Sequence, residues 1–127
     1  MSRPARILLI EDSQTNREFF SYLLRALGYS VIVAEDGVAG VEAAIVESPD
    51  LVLCDIQMPE LDGFGVLEQL TNNPATRFIP VVALTALAIV GQRKEMLSAG
   101  FAGYIDKPVD PERFGSVIES YLVPSEQ

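Results

Sequence analysis

Histidine is absent from the 127 residues, and cysteine occurs once, as Cys54. Without histidine there is no imidazole base, no imidazole metal ligand and no residue that could itself become a phosphohistidine. That excludes Ser-His-Asp and Cys-His catalysis and most zinc hydrolases. A single cysteine forms no internal disulfide, which fits a reducing, cytoplasmic compartment. Positive charge is also scarce. Nine Lys and Arg face eighteen Asp and Glu, and the net charge of −9 repels the backbone of nucleic acids. Long apolar runs are missing too. The stretch Arg6-Ile7-Leu8-Leu9-Ile10 that follows the N-terminus is too short for a signal peptide or a membrane span. The expectation is a protein with no nucleic-acid or membrane partner.

What is present is enough apolar character, 49 % of residues, for a real core. The length suits one domain of about 100–150 residues. A single domain over 1–127 is expected, with its core from about residue 5 to 122 and no room for an output domain.

Leu51-Val52-Leu53-Cys54 is a short apolar run leading into Asp55 and then a proline-marked loop, Ile56-Gln57-Met58-Pro59. It reads as a buried strand with a carboxylate at its C-terminal end. Arg6–Ile10 reads as another strand, ended by Glu11-Asp12. Further strands are expected at Ser30–Ala34, at Pro80–Leu84 ended by Thr85, and at Tyr104-Ile105 before Asp106-Lys107-Pro108.

Helical spacing separates them. Phe19, Phe20, Leu23, Leu24 and Leu27 mark a first helix, capped by Ser13 or by a Thr15/Glu18 capping box, and Gly28 stops it. Asp36 caps a second helix presenting Val38, Val41 and Ile45. A third carries Phe64, Leu67 and Leu70 after Gly63, and a fourth runs from Ala86 to Ala99 before Gly100. Asp110 and Pro111 open a fifth, with Phe114, Val117, Ile118 and Tyr121 inward. Five strands alternating with five helices imply an α/β fold, a parallel sheet with helices on both faces.

In such a sheet all strand C-termini share one edge, where ligands bind. Glu11, Asp12, Asp55, Thr85 and Lys107 therefore converge. Singly, each has an ordinary use as a helix-capping carboxylate, a loop residue or a solvated lysine. Jointly they suit phosphoryl transfer. A carboxylate can attack phosphorus to form an acyl phosphate, and catalysis is then mostly positioning and neutralisation. Asp12 and Asp55 suit Mg²⁺, which takes one or two carboxylates, with Glu11 holding a water or ligating directly. Lys107 supplies a point charge for one phosphoryl oxygen and Thr85 a hydroxyl for another. Three clustered carboxylates repel one another unless a cation binds.

The chain resembles the receiver domain of bacterial two-component response regulators over essentially its whole length. The matching motifs are Ile10-Glu11-Asp12, Asp55-Ile56-Gln57-Met58-Pro59 with Gly63, Leu84-Thr85-Ala86, and Lys107-Pro108. The resemblance implies a doubly wound, flavodoxin-like sheet in the order 2-1-3-4-5 that is known for the chemotaxis member CheY. It implies that Asp55 takes a phosphoryl group from a histidine kinase, a histidine phosphotransfer protein or a small phosphodonor, within a phosphorelay. It implies Mg²⁺, with Mn²⁺ as a substitute, on Asp12, Asp55 and the backbone carbonyl of Gln57, supported by Glu11. Thr85 and Lys107 would bind the phosphoryl oxygens, and a cis peptide would precede Pro108.

The family's switch pairs Thr85 with an aromatic three residues before the lysine, which here is Tyr104. Output is then expected on the face of the fourth helix, fifth strand and fifth helix, through a downstream protein or a phosphorylation-dependent dimer. Leu87, Ile89 and Val90 on that face are either a docking patch or core. Gln57 and Leu87 flank the acceptor and neither is a base, so only weak intrinsic autophosphorylation and autodephosphorylation are expected, without enzymatic turnover. Cys54 reads as a small buried hydrophobe.

Three other readings compete. The chain could be the receiver portion of a longer protein such as a hybrid histidine kinase. It could be a small Mg²⁺-dependent aspartate-nucleophile phosphatase of the haloacid-dehalogenase kind, although such enzymes place a D-x-D motif after the first strand. It could be an interaction module that works without phosphorylation, against which the intact constellation argues.

Overall fold

The computed structural model describes residues 4–86, 90–107 and 109–122, apart from the side chains of 90–92. The element order is β1 (Arg6–Ile10), α1 (Gln14–Ala26), β2 (Ser30–Ala34), α2 (Gly37–Glu47), β3 (Leu51–Asp55), α3 (Gly63–Thr71), β4 (Val81–Thr85), α4 (Val90–Ala99), β5 (Gly103–Asp106) and α5 (Pro111–Leu122). The strands form one five-stranded sheet in the order β2-β1-β3-β4-β5, and every neighbouring pair is parallel. This is the doubly wound, flavodoxin-like arrangement.

The pattern of side chains explains the layering. Successive strand residues face opposite sides of a sheet. On β1, Ile7 and Leu9 join Phe20, Leu24, Phe114 and Ile118 on the α1/α5 side. Leu8 and Ile10 join Ala44, Val66, Leu67, Leu70 and Met96 on the α2/α3/α4 side. The central strands β3 and β4 are buried along their whole length, which is why both read as unbroken apolar runs.

Helix ends follow local chemistry. Ser13, not Thr15, caps α1, accepting from the Asn16 amide. Asp36 and Asp62 do the same for α2 and α3. Gly28 ends α1 at φ 95°, with bonds from Gly28 N–H to Arg25 and from Tyr29 N–H to Leu24 closing a Schellman motif.

Three expectations about helices change. The buried face of α2 is Gly37, Gly40 and Ala44, while Val38 and Ile45 are exposed. A Cβ on Gly40 would come within 2.4 Å of Ile10 Cδ1, so small residues here let α2 lie against β1, and the larger valine and isoleucine are turned outward. Ala86 sits in a bend and not in the fourth helix, whose described part is Val90–Ala99. In α1, Phe19 and Leu27 are exposed as well, leaving Phe20 and Leu24 to fill the core. Leu87, Ile89 and Pro108, together with the Val90 side chain, lie outside the described residues.

Candidate functional site

Register brings the polar strand ends together. Leu9 pairs with Leu53, and Ile10 with Cys54, so Glu11 leaves β1 level with Asp55 at the end of β3. Asp55 pairs with Leu84, the residue before Thr85, and Thr85 pairs with Asp106, the residue before Lys107. Glu11, Asp12, Asp55, Thr85 and Lys107 therefore share the C-terminal edge of the sheet.

The side chains meet there. Lys107 Nζ donates to Glu11 Oε1 at 2.9 Å and to Asp55 Oδ2 at 3.3 Å. The other Asp55 oxygen, Oδ1, accepts from the Gln57 backbone N–H at 2.9 Å. Glu11 Oε2 accepts from the Ser13 N–H at 3.3 Å. Glu11, Asp55 and Thr85 are buried, and Asp12 is exposed. Burial pushes the Glu11 carboxyl above its ordinary range, and Asp55 adds to this while Lys107 opposes it.

Glu11, Asp12 and Asp55 each offer an oxygen within 4.8 Å of the other two. Opposite ligands on one octahedral Mg²⁺ stand about 4 Å apart. A hard, all-oxygen donor set with this spread fits that ion, and a divalent charge relieves the repulsion among the carboxylates.

The loops around Asp55 are packed tightly. A Cβ on Gly63 would stand 2.6 Å from Ile56 Cα and 2.9 Å from the Asp55 carbonyl oxygen. Only a hydrogen fits between the start of α3 and the acceptor strand. Cys54 lies beneath, wholly buried, its thiol pushed far above the ordinary range by burial and then by Asp55, Glu11 and Asp62. That suits a packing thiol and opposes a redox role.

Tyr104 is half-buried on β5. The guanidinium of Arg93 on α4 lies 5.5 Å from its ring centre. From α5, Tyr121 packs against the strand, and a Cβ on Gly103 would stand 2.0 Å from its hydroxyl. Two contacts here were not visible in the strand-end pattern. One is Arg93 on Tyr104; the other is Arg17, whose Nη1 donates to the Glu11 carbonyl at 2.9 Å. Both arginines sit on helices where a charged residue reads as a solvated side chain. The only hint for Arg17 is that its helix starts directly after the acidic pair.

A doubly wound sheet with an acidic pocket of this make-up defines a protein suited to holding Mg²⁺ and being phosphorylated. The chain belongs to the response regulator receiver domain family, whose sequence profile matches residues 7–119. It is 37 % identical over 119 residues to the polar-differentiation response regulator DivK of Brucella anthropi, covering 94 % of this chain and 97 % of that one. In structure it matches the chemotaxis protein CheY4 of Vibrio cholerae with a TM-score of 0.88 and 27 % identity, over 94 % of this chain and 99 % of that one. A receiver domain of a sensor histidine kinase from Pseudomonas aeruginosa matches with a TM-score of 0.86 and 32 % identity, over 94 % of this chain and 98 % of that one. That neighbour has a magnesium ion coordinated in its active-site cleft.

The chain is thus a response regulator receiver of the phosphorelay type, a signalling phosphoacceptor and not an enzyme of the usual kind. Receivers of this family bind Mg²⁺ at an acidic site and interact with histidine kinases or phosphotransfer proteins and with downstream targets. Among the described residues, no helix is long and apolar enough to cross a membrane.

Proposed function

We propose that Asp55 is the phosphoacceptor. The carrying observation is the meeting of Lys107 Nζ with Asp55 Oδ2 at 3.3 Å, beside an acidic trio whose oxygens lie within 4.8 Å of one another. In the reaction, an Asp55 oxygen attacks the phosphorus of a partner's phosphohistidine, or of a small acyl phosphate. The new P–O bond forms as the P–N or P–O bond to the donor breaks, and the electron pair leaves with the donor. Lys107 and Thr85 neutralise and orient the phosphoryl oxygens.

Asp12, Asp55 and the Gln57 carbonyl would hold Mg²⁺ (Mn²⁺ as a substitute), with Glu11 in support. When bound, the ion screens the approach of an anionic donor to an anionic acceptor. Lys107 already bridges Glu11 and Asp55, so the pocket keeps part of its neutralisation before any donor arrives.

Readout follows from Thr85. Its hydroxyl moves to the phosphoryl group and Tyr104 fills the space behind it, which biases a two-state element. The face of α4, β5 and α5 carries the result to a protein target or a second copy. Neither Gln57 nor Leu87 is a base, so autodephosphorylation is slow. The chain acts as a single cytoplasmic receiver domain over 1–127. Asp55 ends the third strand and Gln57 stands two residues on, which argues against the phosphatase reading.

The test is intact mass after incubation with acetyl phosphate and Mg²⁺. Wild type gains one phosphoryl group and Asp55→Asn gains none. No gain in wild type, with a phosphohistidine donor also failing, overturns the reading.

A further inference from the structure

We propose that Arg17 is a positioning residue for the metal site. Its guanidinium pins the Glu11–Asp12 peptide, and through it the Asp12 carboxylate, where a divalent cation binds. The inference rests on the reading of Asp12 as a metal ligand given above.

The Glu11 N–H is still part of the sheet, donating to the Ala34 carbonyl at 3.1 Å. The Glu11 carbonyl is the first acceptor beyond the β1–β2 ladder, where the chain turns away toward α1. A buried or half-buried carbonyl at such a point needs a partner. Arg17 supplies it from the second turn of α1, at 2.9 Å. Its own N–H donates to the Ser13 carbonyl at 2.8 Å, so Arg17 is fixed to the loop at backbone and side chain together. The bond closes a ring over residues 11–17, with Asp12 inside it.

Asp12 depends on that ring. Glu11 is held by Lys107 and by the Ser13 amide, and Asp55 by Lys107 and the Gln57 amide. Asp12 is exposed, and among the described residues no side-chain hydrogen bond or ion pair fixes its carboxylate. Its place is set by the peptide that precedes it, whose oxygen Arg17 holds. A charged donor on a carbonyl makes one of the stronger hydrogen bonds, and partners that orient a ligand govern metal affinity much as ligands do.

Charge alone predicts the opposite sign. A cationic guanidinium near the acidic trio repels Mg²⁺, so its removal should tighten binding if Arg17 acts only through charge. If Arg17 positions Asp12, its removal weakens binding. Calorimetric titration of the full chain with Mg²⁺ decides between them. Arg17→Met is expected to bind Mg²⁺ about tenfold more weakly than wild type. Arg17→Lys, which keeps the charge but not the planar fork, should fall between. Arg25→Met, which removes the same charge from the same helix, should not weaken binding.

A second readout needs no metal. In chelator, amide exchange at Asp12 and Ser13 is expected to quicken in Arg17→Met and not in Arg25→Met. Wild-type or tighter affinity in Arg17→Met, with unchanged exchange, overturns the proposal. If Arg17→Met loses its cooperative urea transition, Arg17→Lys decides, and wild-type affinity there overturns it as well. A wild-type chain that fails to bind Mg²⁺ at all would instead sink the underlying metal-site reading.

Discussion

The guanidinium carbon of Arg93 lies 5.5 Å from the centre of the Tyr104 ring. That contact joins α4 to β5 across the face proposed for output. An exposed cation–π pair is worth about 0.5–1 kcal/mol. If Tyr104 swings inward on phosphorylation, the contact is lost, so it favours the unphosphorylated arrangement. Arg93→Ala should then lower the acetyl phosphate concentration for half-maximal phosphorylation by about two- to fivefold. Mass spectrometry across a donor titration checks this. An unchanged or higher midpoint counts against the coupling.

Lys107 spans two buried carboxylates, with its own side chain only 16 % exposed. Lys107→Met leaves Glu11 and Asp55 facing each other unpaired, at a cost of about 2–4 kcal/mol in chelator. Mg²⁺ should restore part of the loss. The pH dependence has a defined sign. Glu11 is already raised above its unfolded value, and Lys107 is a lowering influence, so the substitution raises it further. The folded state then binds more protons than the unfolded one above the ordinary value of 4.5, and stability falls as pH rises from there. The deficit of Lys107→Met, from urea unfolding, should therefore be smaller at mildly acidic pH than at neutrality. A deficit that grows on acidification would contradict this account.

Cys54 gives a second pH signature. Its thiol is raised far above the ordinary 9.0 in the fold, whereas the unfolded chain ionises normally. Above the unfolded value the unfolded state loses a proton that the folded state keeps, so stability falls with rising pH by up to about 1.4 kcal/mol per unit. Cys54→Ala should remove that slope in urea melts above pH 9. In the native wild type, a thiol reagent should react only at the rate at which the sheet opens.

Glu60 holds a φ of 68° in the loop after Asp55. A left-handed backbone costs a non-glycine residue about 1–2 kcal/mol, and glycine's extra freedom in the unfolded chain returns about 0.5–1 of that. Glu60→Gly should stabilise the fold by about 0.5–1 kcal/mol, measured as a higher urea midpoint. A lower midpoint would mean that the Glu60 side chain contributes something the backbone argument omits.

Much of this was legible in the residues. Each apolar run ended at its polar residue, so Asp55, Thr85 and the acidic pair fell on one edge once the strands were parallel. Gly28 and Gly100, at φ 95° and 118°, stop their helices as their type suggests. The α2 face was misread because periodicity weighs bulk. Val38 and Ile45 outweigh Gly40 and Ala44 on any hydropathy scale, yet close approach to β1 selects the small pair. Arg17 and Arg93 were hidden for a different reason. Their partners are a backbone carbonyl and a ring face, and neither leaves a complementary charge in the sequence.

The bond between Lys107 and Asp55 spans 52 residues of chain, and that between Lys107 and Glu11 spans 96. On a ribosome adding about 5–20 residues per second, the ammonium follows Asp55 by about 3–10 s. In that interval the acidic trio exists without its internal counter-charge and without β5 to close the sheet edge. The nascent chain therefore exposes the proposed acceptor before the lysine that neutralises it has been made. The pocket's internal neutralisation is thus the last part of the site to be synthesised, arriving with the strand that closes the sheet.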